Sequence, residues 1–144
     1  MLTQTAKYAI RALVYLAQQD SDMFCQTREI AQTIRVPPNY LGKTMQKLAN
    51  ARILDSQKGL HGGFRTARSA HRISLYEIML AVEAIPRDMA RGSRRRNREL
   101  PTEVYRHLAG ISTIYLQFLR ETTLADLLPA SARRDMASLA SAAV

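Results

Sequence analysis

The sequence predicts a mostly α-helical chain: three short helices, a glycine-rich two-stranded hairpin, a fourth helix and, after a break, one long C-terminal helix. Three observations carry this. Apolar residues recur at helical spacing from Ala6 to Ala17 and again from Val104 to Phe118. Pro37-Pro38 and Pro86 punctuate the helical runs. Gly59, Gly62 and Gly63 cluster between two short strand-like stretches.

The first helix spans roughly Thr5 to Gln18, with Ala6, Ala9, Ile10, Leu13, Leu16 and Ala17 on one face. Asp20, Ser21 and Asp22 end it. A second helix runs from about Thr27 to Ile34, with Thr27 as its cap and Ile30, Ala31 and Ile34 as its buried side. Pro37 then disfavours helix in Val36, and Pro38 suits the first turn of a third helix reaching about Asn50. Leu41, Met45 and Leu48 form its apolar side, while Asn39, Lys43, Gln46, Lys47 and Asn50 form a polar stripe without an acid. Ile53-Leu54 opens the hairpin, and Phe64-Arg65-Thr66 closes it. Ser74 and Glu77 make a capping box for the next helix, with Ile73 and Ile78 in the staple positions around it. Leu75, Ile78, Met79, Val82 and Ile85 line its apolar face, and Pro86 is expected to stop it.

Residues 87–100 are expected to be a loop, because Arg87, Arg91, Arg94, Arg95, Arg96 and Arg98 crowd there and repel. A helix from Thr102 to Glu121 follows, a rod of about 30 Å. Its Val104, Leu108, Ile111, Tyr115 and Phe118 make a seam of coiled-coil type, facing either a second copy of the chain or this chain's own domain. Thr123 and Asp126 form another capping box before Pro129. The expected units are therefore residues 1–85, a winged helix-turn-helix domain; 86–101, an Arg-rich loop; 102–129, the dimerisation helix and terminal turn; and 130–144, a flexible Ala/Ser-rich tail.

At 144 residues the chain has a one-domain length. It is small enough to favour an oligomer. No apolar run is long enough for a membrane span and no signal-peptide pattern is seen, so no membrane partner and a cytoplasmic protein are expected. Lys and Arg number 21 against 12 Asp and Glu, a net charge of +9. That excess suits a polyanionic partner, since Lys and Arg release counterions from phosphates; a basic surface without a partner is the other reading. Cys25 is the single cysteine. It is either a plain buried thiol or half of an intersubunit bond, and alone it cannot assemble a cysteine-ligated cluster.

The functional candidates follow from this order of elements. The second helix of a helix-turn-helix enters the major groove, where Asn and Gln read adenine and Lys reaches guanine. Asn39, Lys43, Gln46 and Lys47 stand in that position, with Tyr40 beside them for phosphate. Thr27 and Arg28 are backbone-contact candidates at the start of the second helix. In the hairpin, Lys58, Gly59, His61, Gly62 and Arg65 are candidates for the minor groove, with an ordinary turn as the alternative. Nothing points to catalysis: the three histidines are scattered, the glycines are not followed by Lys-Ser/Thr, and no metal-ligand spacing occurs. No catalytic residue, metal ligand or cofactor is assigned.

Lys7-Tyr8-Ala9-Ile10-Arg11-Ala12-Leu13 with Tyr15-Leu16-Ala17 resembles the N-terminal signature of Rrf2-family regulators. Ile30-Ala31, Pro38-Asn39-Tyr40-Leu41, Leu48, Ile53-Leu54 and Gly59 through Phe64 continue the likeness. So do Ile73-Ser74-Leu75, Glu77-Ile78, Ala81-Val82-Glu83 and Thr123 through Leu128. The resemblance implies a homodimeric regulator of double-stranded operator DNA, its long helix crossing its twin and its wing in the minor groove. It implies DNA contacts at Arg28, Asn39, Tyr40, Lys43, Lys47, Gly59, His61 and Gly62. Many members sense iron, nitric oxide or redox state through a cluster whose cysteines fall in the segment equivalent to 86–103, and that segment has no cysteine. The expectation is a cluster-free regulator, in the first instance a repressor. The alternative is an adaptor-type regulator controlled by a protein partner or small metabolite at the dimer region. For the Arg-rich segment, an anionic effector, DNA phosphate and disorder all stay open.

Overall fold

The computed structural model describes residues 2–90 and 101–132. Its order is α1 (Gln4–Leu16), α2 (Thr27–Thr33), α3 (Pro38–Asn50), β1 (Leu54–Gln57), β2 (Gly63–Thr66), α4 (Leu75–Ala81), α5 (Arg87–Ala90) and α6 (Thr102–Glu121). Short 3₁₀ turns precede α4 at Ala70–Arg72 and follow α6 at Leu124–Leu127. The expected fold class holds: a mainly helical domain with one small antiparallel sheet and a long last helix.

The core is built by the faces that the helical spacing marks. Leu13 of α1, Ile30 of α2, Leu41, Met45 and Leu48 of α3, and Ile78 and Met79 of α4 are fully buried together. Arg11 donates to the Ile34 carbonyl at the end of α2, tying α1 to the turn before α3. Thr44 is the one polar residue buried among the described residues, and its hydroxyl donates to the Tyr40 carbonyl 3.2 Å away.

Three helices close in the same way. After α2, α3 and α4 a residue in the left-handed region, Arg35 (φ 54°), Arg52 (φ 58°) or Glu83 (φ 56°), reverses the chain. In each case paired backbone bonds cap the helix, as in Arg52 N–H to Ala49 O (2.9 Å) and Ile53 N–H to Leu48 O (3.0 Å). This is the Schellman arrangement, with Ile53 and Leu48 supplying its apolar contact.

The same motif corrects the expected end of α4. Glu83 and Ala84 bond back to Leu80 and Met79, so the helix closes at Ala81 and not at Ile85. Pro86 is instead the start of the next helix: Ala90 N–H reaches the Pro86 carbonyl at 3.0 Å. Arg87–Ala90 is thus helical where a loop is expected, because proline's fixed φ suits a first turn and Met89 and Ala90 pack on the core. The rest of the Arg-rich segment, residues 91–100, lies outside the described residues. So does the tail from 133, whereas residues 130–132 are helical and Ala132 packs on the core. The cap of α2 is Gln26, with Thr27 as its first residue, so Thr27 makes no side-chain cap.

The end of α6 is welded to the start of α4. Ser74 and Thr123 form an antiparallel bridge, with Leu75 N–H to Thr122 O and Leu124 N–H to Ile73 O both at 2.8 Å. Both expected capping boxes, Ser74/Glu77 and Thr123/Asp126, are present at this junction. Leu116 and Leu119 turn inward, and the Arg120 guanidinium stacks 4.8 Å from the Tyr76 ring centre.

Candidate nucleic-acid interface

α3 presents its polar stripe as the spacing requires. Asn39, Lys43, Gln46, Lys47 and Asn50 are all exposed, opposite the buried Leu41, Met45 and Leu48. Gln46 donates to Asn50 at 3.0 Å, which steadies the last turn. Tyr40 is fixed at the first turn. Its hydroxyl and the Thr5 hydroxyl are 2.6 Å apart, and its ring stands edge-on to Tyr8 at 5.4 Å. A pairing invisible along the helix itself reaches Lys47, whose Nζ lies 2.7 Å from Glu83 Oε2 at the end of α4.

The hairpin pairs Leu54 with Thr66, Asp55 with Arg65, Ser56 with Phe64 and Gln57 with Gly63. Cys25 adds a third rung, exchanging two 2.9 Å backbone bonds with Phe64. That rung explains Gly63: its φ is 143°, and a β-carbon there would lie 2.1 Å from the Cys25 carbonyl oxygen. Gly62 is likewise buried against the Gln57 carbonyl. These two glycines therefore serve close approach within the hairpin. Lys58, Gly59 and His61 stay exposed at its tip, as does Leu60, the most exposed large apolar side chain among the described residues at 82%. Gln26 pins the tip by donating to the Leu60 carbonyl at 2.8 Å, a role that its sequence position gave no sign of.

Arg65 points back onto its own domain. Its Nε bonds Asp55 at 3.3 Å, its Nη1 lies 4.0 Å from Asp22, and its guanidinium stacks 4.7 Å from the Phe24 ring centre. Arg28 is exposed at the start of α2, with Thr27 half-buried beside it. Burial, reinforced by the nearby Glu29 charge, pushes the Cys25 thiol above its ordinary range.

α6 leaves its expected seam uncovered in the single chain. Val104, Leu108, Ile111, Tyr115 and Phe118 are exposed, Ile111 at 65%. Ile114, at 71%, belongs to the same face and was not among the expected seam positions.

The chain matches the Rrf2 family, described as iron-dependent transcriptional regulators, over residues 2–130. This chain belongs to the Rrf2 family. Among its relatives, an HTH-type transcriptional regulator of Mycobacterium tuberculosis is 30% identical over 151 residues, covering 96% of this chain and 88% of that protein. The HTH-type regulator NsrR of Halalkalibacterium halodurans is 28% identical, covering 88% and 89% respectively. In solved structures the fold is similar to that of CymR, the global cysteine regulator of B. subtilis, with a TM-score of 0.74 and 20% identity over 88% of this chain and 95% of that one. IscR of T. potens follows with a TM-score of 0.69 and 19% identity, covering 88% and 85%. As an Rrf2 protein the chain is a DNA-binding transcriptional regulator and not an enzyme.

The donor set does not fit a cysteine-ligated iron–sulfur cluster. The one cysteine is buried against the hairpin, and among the described residues no group of three or more His, Cys, Asp or Glu could hold a metal ion. No helix among the described residues is long and apolar enough to cross a membrane.

Proposed function

We propose that this chain is a homodimeric, sequence-specific repressor that binds operator DNA with α3 in the major groove and the β1–β2 hairpin in the minor groove, and that its signal is not read by an iron–sulfur cluster. The observation that carries the reading is the α3 stripe. A helix with four exposed base-reading or phosphate-reading side chains, and no acid of its own, stands before a compact hairpin whose tip exposes Lys58 and His61. The +9 charge supports a polyanionic partner.

Within this reading the contacts divide by geometry. Asn39, Lys43, Gln46 and Lys47 meet bases or phosphates, Arg28 meets the backbone, and Lys58, Gly59 and His61 enter the minor groove. Thr27, Tyr40, Gly62 and Arg65 complete the proposed contact surface, with Tyr40 steadied by the Thr5 hydroxyl and Arg65 by Asp55. The exposed α6 face supports a second copy as its partner, since an apolar stripe of this size on a regulator is covered in the working state. A DNA target puts the site of action in the cytoplasm. Because the family's sensing segment here has no cysteine, the second reading is an adaptor-type regulator controlled by a protein partner or small metabolite at the dimer region.

The test is the salt-dependent binding of the purified chain to the DNA upstream of its own gene against a scrambled duplex. A preference of about 10³ or more, with affinity falling steeply in salt, is expected. Equal weak binding to both would overturn the reading.

A further inference from the structure

No acid lies on α3 from Pro38 to Asn50, yet a carboxylate reaches its polar stripe from elsewhere: Glu83 Oε2 sits 2.7 Å from Lys47 Nζ, across 36 positions of sequence. Its placement is built in. Glu83 is the left-handed residue that closes α4 (φ 56°), a conformation that costs a residue with a β-carbon. It is flanked by the buried Val82 and followed by the buried Ile85, so the backbone carrying the carboxylate is held against the core.

We propose that Glu83 is a specificity-determining residue, a carboxylate on an anchored backbone whose half-exposed pair with Lys47 weakens binding to non-operator DNA more than to operator. The proposal rests on α3 being the helix that meets DNA. An ammonium has three donors. At an operator base it can give one to a neutral guanine acceptor and keep another on Glu83. On non-operator DNA its partner is a phosphate, and that contact either breaks the pair or sets the carboxylate beside a like charge. The carboxylate thus penalises the non-specific mode selectively.

The test uses the full chain, its operator and a scrambled duplex, read by fluorescence anisotropy across a salt series. In Glu83→Gln, the scrambled duplex is expected to bind about 5–10-fold tighter, with a salt slope steeper by about one phosphate equivalent. Operator affinity should change less than about 2-fold, so discrimination falls. Glu83→Gly removes the same charge while relaxing the backbone and should behave alike, which separates the effect from loss of fold. In a Lys47→Met background, Glu83→Gln should change scrambled-duplex affinity less than about 2-fold. Unchanged scrambled binding, equal tightening on both duplexes, or an undiminished effect without Lys47 would each overturn the proposal. A wild-type chain that fails to prefer its operator would instead overturn the assignment of α3, and this inference with it.

Discussion

Gly63 and Cys25 share one rung of backbone, and each constrains the other. A methyl at Gly63 would collide with the Cys25 peptide, which is main chain on both sides and cannot swing away. Gly63→Ala is therefore expected to destabilise the chain by more than about 2 kcal/mol, seen as a lower urea midpoint; an unchanged midpoint would show that the rung yields easily. The Cys25 thiol is buried on the other side of that rung, and burial with the nearby Glu29 keeps it protonated at neutral pH. Since the thiolate is the nucleophile, the native protein should react with a thiol reagent far more slowly than the urea-unfolded chain. Fast reaction without unfolding, or an intersubunit disulfide at neutral pH, would count against a plain structural thiol. Neither role could be read from the sequence. A lone cysteine and a glycine among glycines have no local signature, and the contact joins positions that only the fold brings together.

At the level of elements, the legible parts are those whose signals are local. The third helix was expected at Pro38–Asn50 and forms there, because a proline pair sets its start and an apolar triplet its phase. The last helix was expected at Thr102–Glu121 and also holds. The end of α4 is not legible in the sequence: Pro86 has the character of a stop, while the true stop is an acid in a left-handed conformation that usually selects glycine. Arg52 occupies the equivalent place after α3, with its side chain in solvent. Arg52→Gly should raise stability by about 0.5–1 kcal/mol, checked as a higher urea midpoint at unchanged slope. The candidate interface divides likewise. The exposed α3 stripe follows from helical spacing, whereas the Lys47–Glu83 pair and the inward turn of Arg65 depend on tertiary neighbours. At the N-terminus of α4, burial tends to raise the Glu77 carboxyl. The Ser74 backbone N–H, Arg68 and the Ser74 hydroxyl together outweigh burial and hold it below the ordinary value of 4.5. Its folded pKa being depressed, Glu77 contributes stability that is present above about pH 4.5 and lost as pH falls through the lower folded value. Glu77→Gln should thus destabilise the chain at neutral pH and progressively less in acid. A penalty that does not shrink in acid would sink this account.

The whole molecule is organised by α6, whose two sides do different work. One side, with Leu116, Leu119 and Arg120, is joined to α4 and to the paired capping boxes at Ser74 and Thr123. The other carries Ile111, Ile114 and Phe118 into solvent, a face no residue of the described chain covers. Because the first side locks α6 to the domain that bears α3, a second copy seated on the second side, as in the proposed dimer, would also set the spacing between two copies of α3. Dimer geometry and half-site spacing are then one property. Ile111→Asp puts a charge at the centre of the exposed face and touches nothing in the core. It should yield monomers in sedimentation at micromolar concentration and lower the thermal midpoint only by what association contributes, so that the midpoint no longer rises with protein concentration. Operator affinity should drop by about 10²-fold or more, since each copy then binds a half-site alone. A dimer that persists in Ile111→Asp would place the partner's contact elsewhere on the chain. Monomers that still bind the operator at full strength would separate DNA recognition from the α6 face altogether.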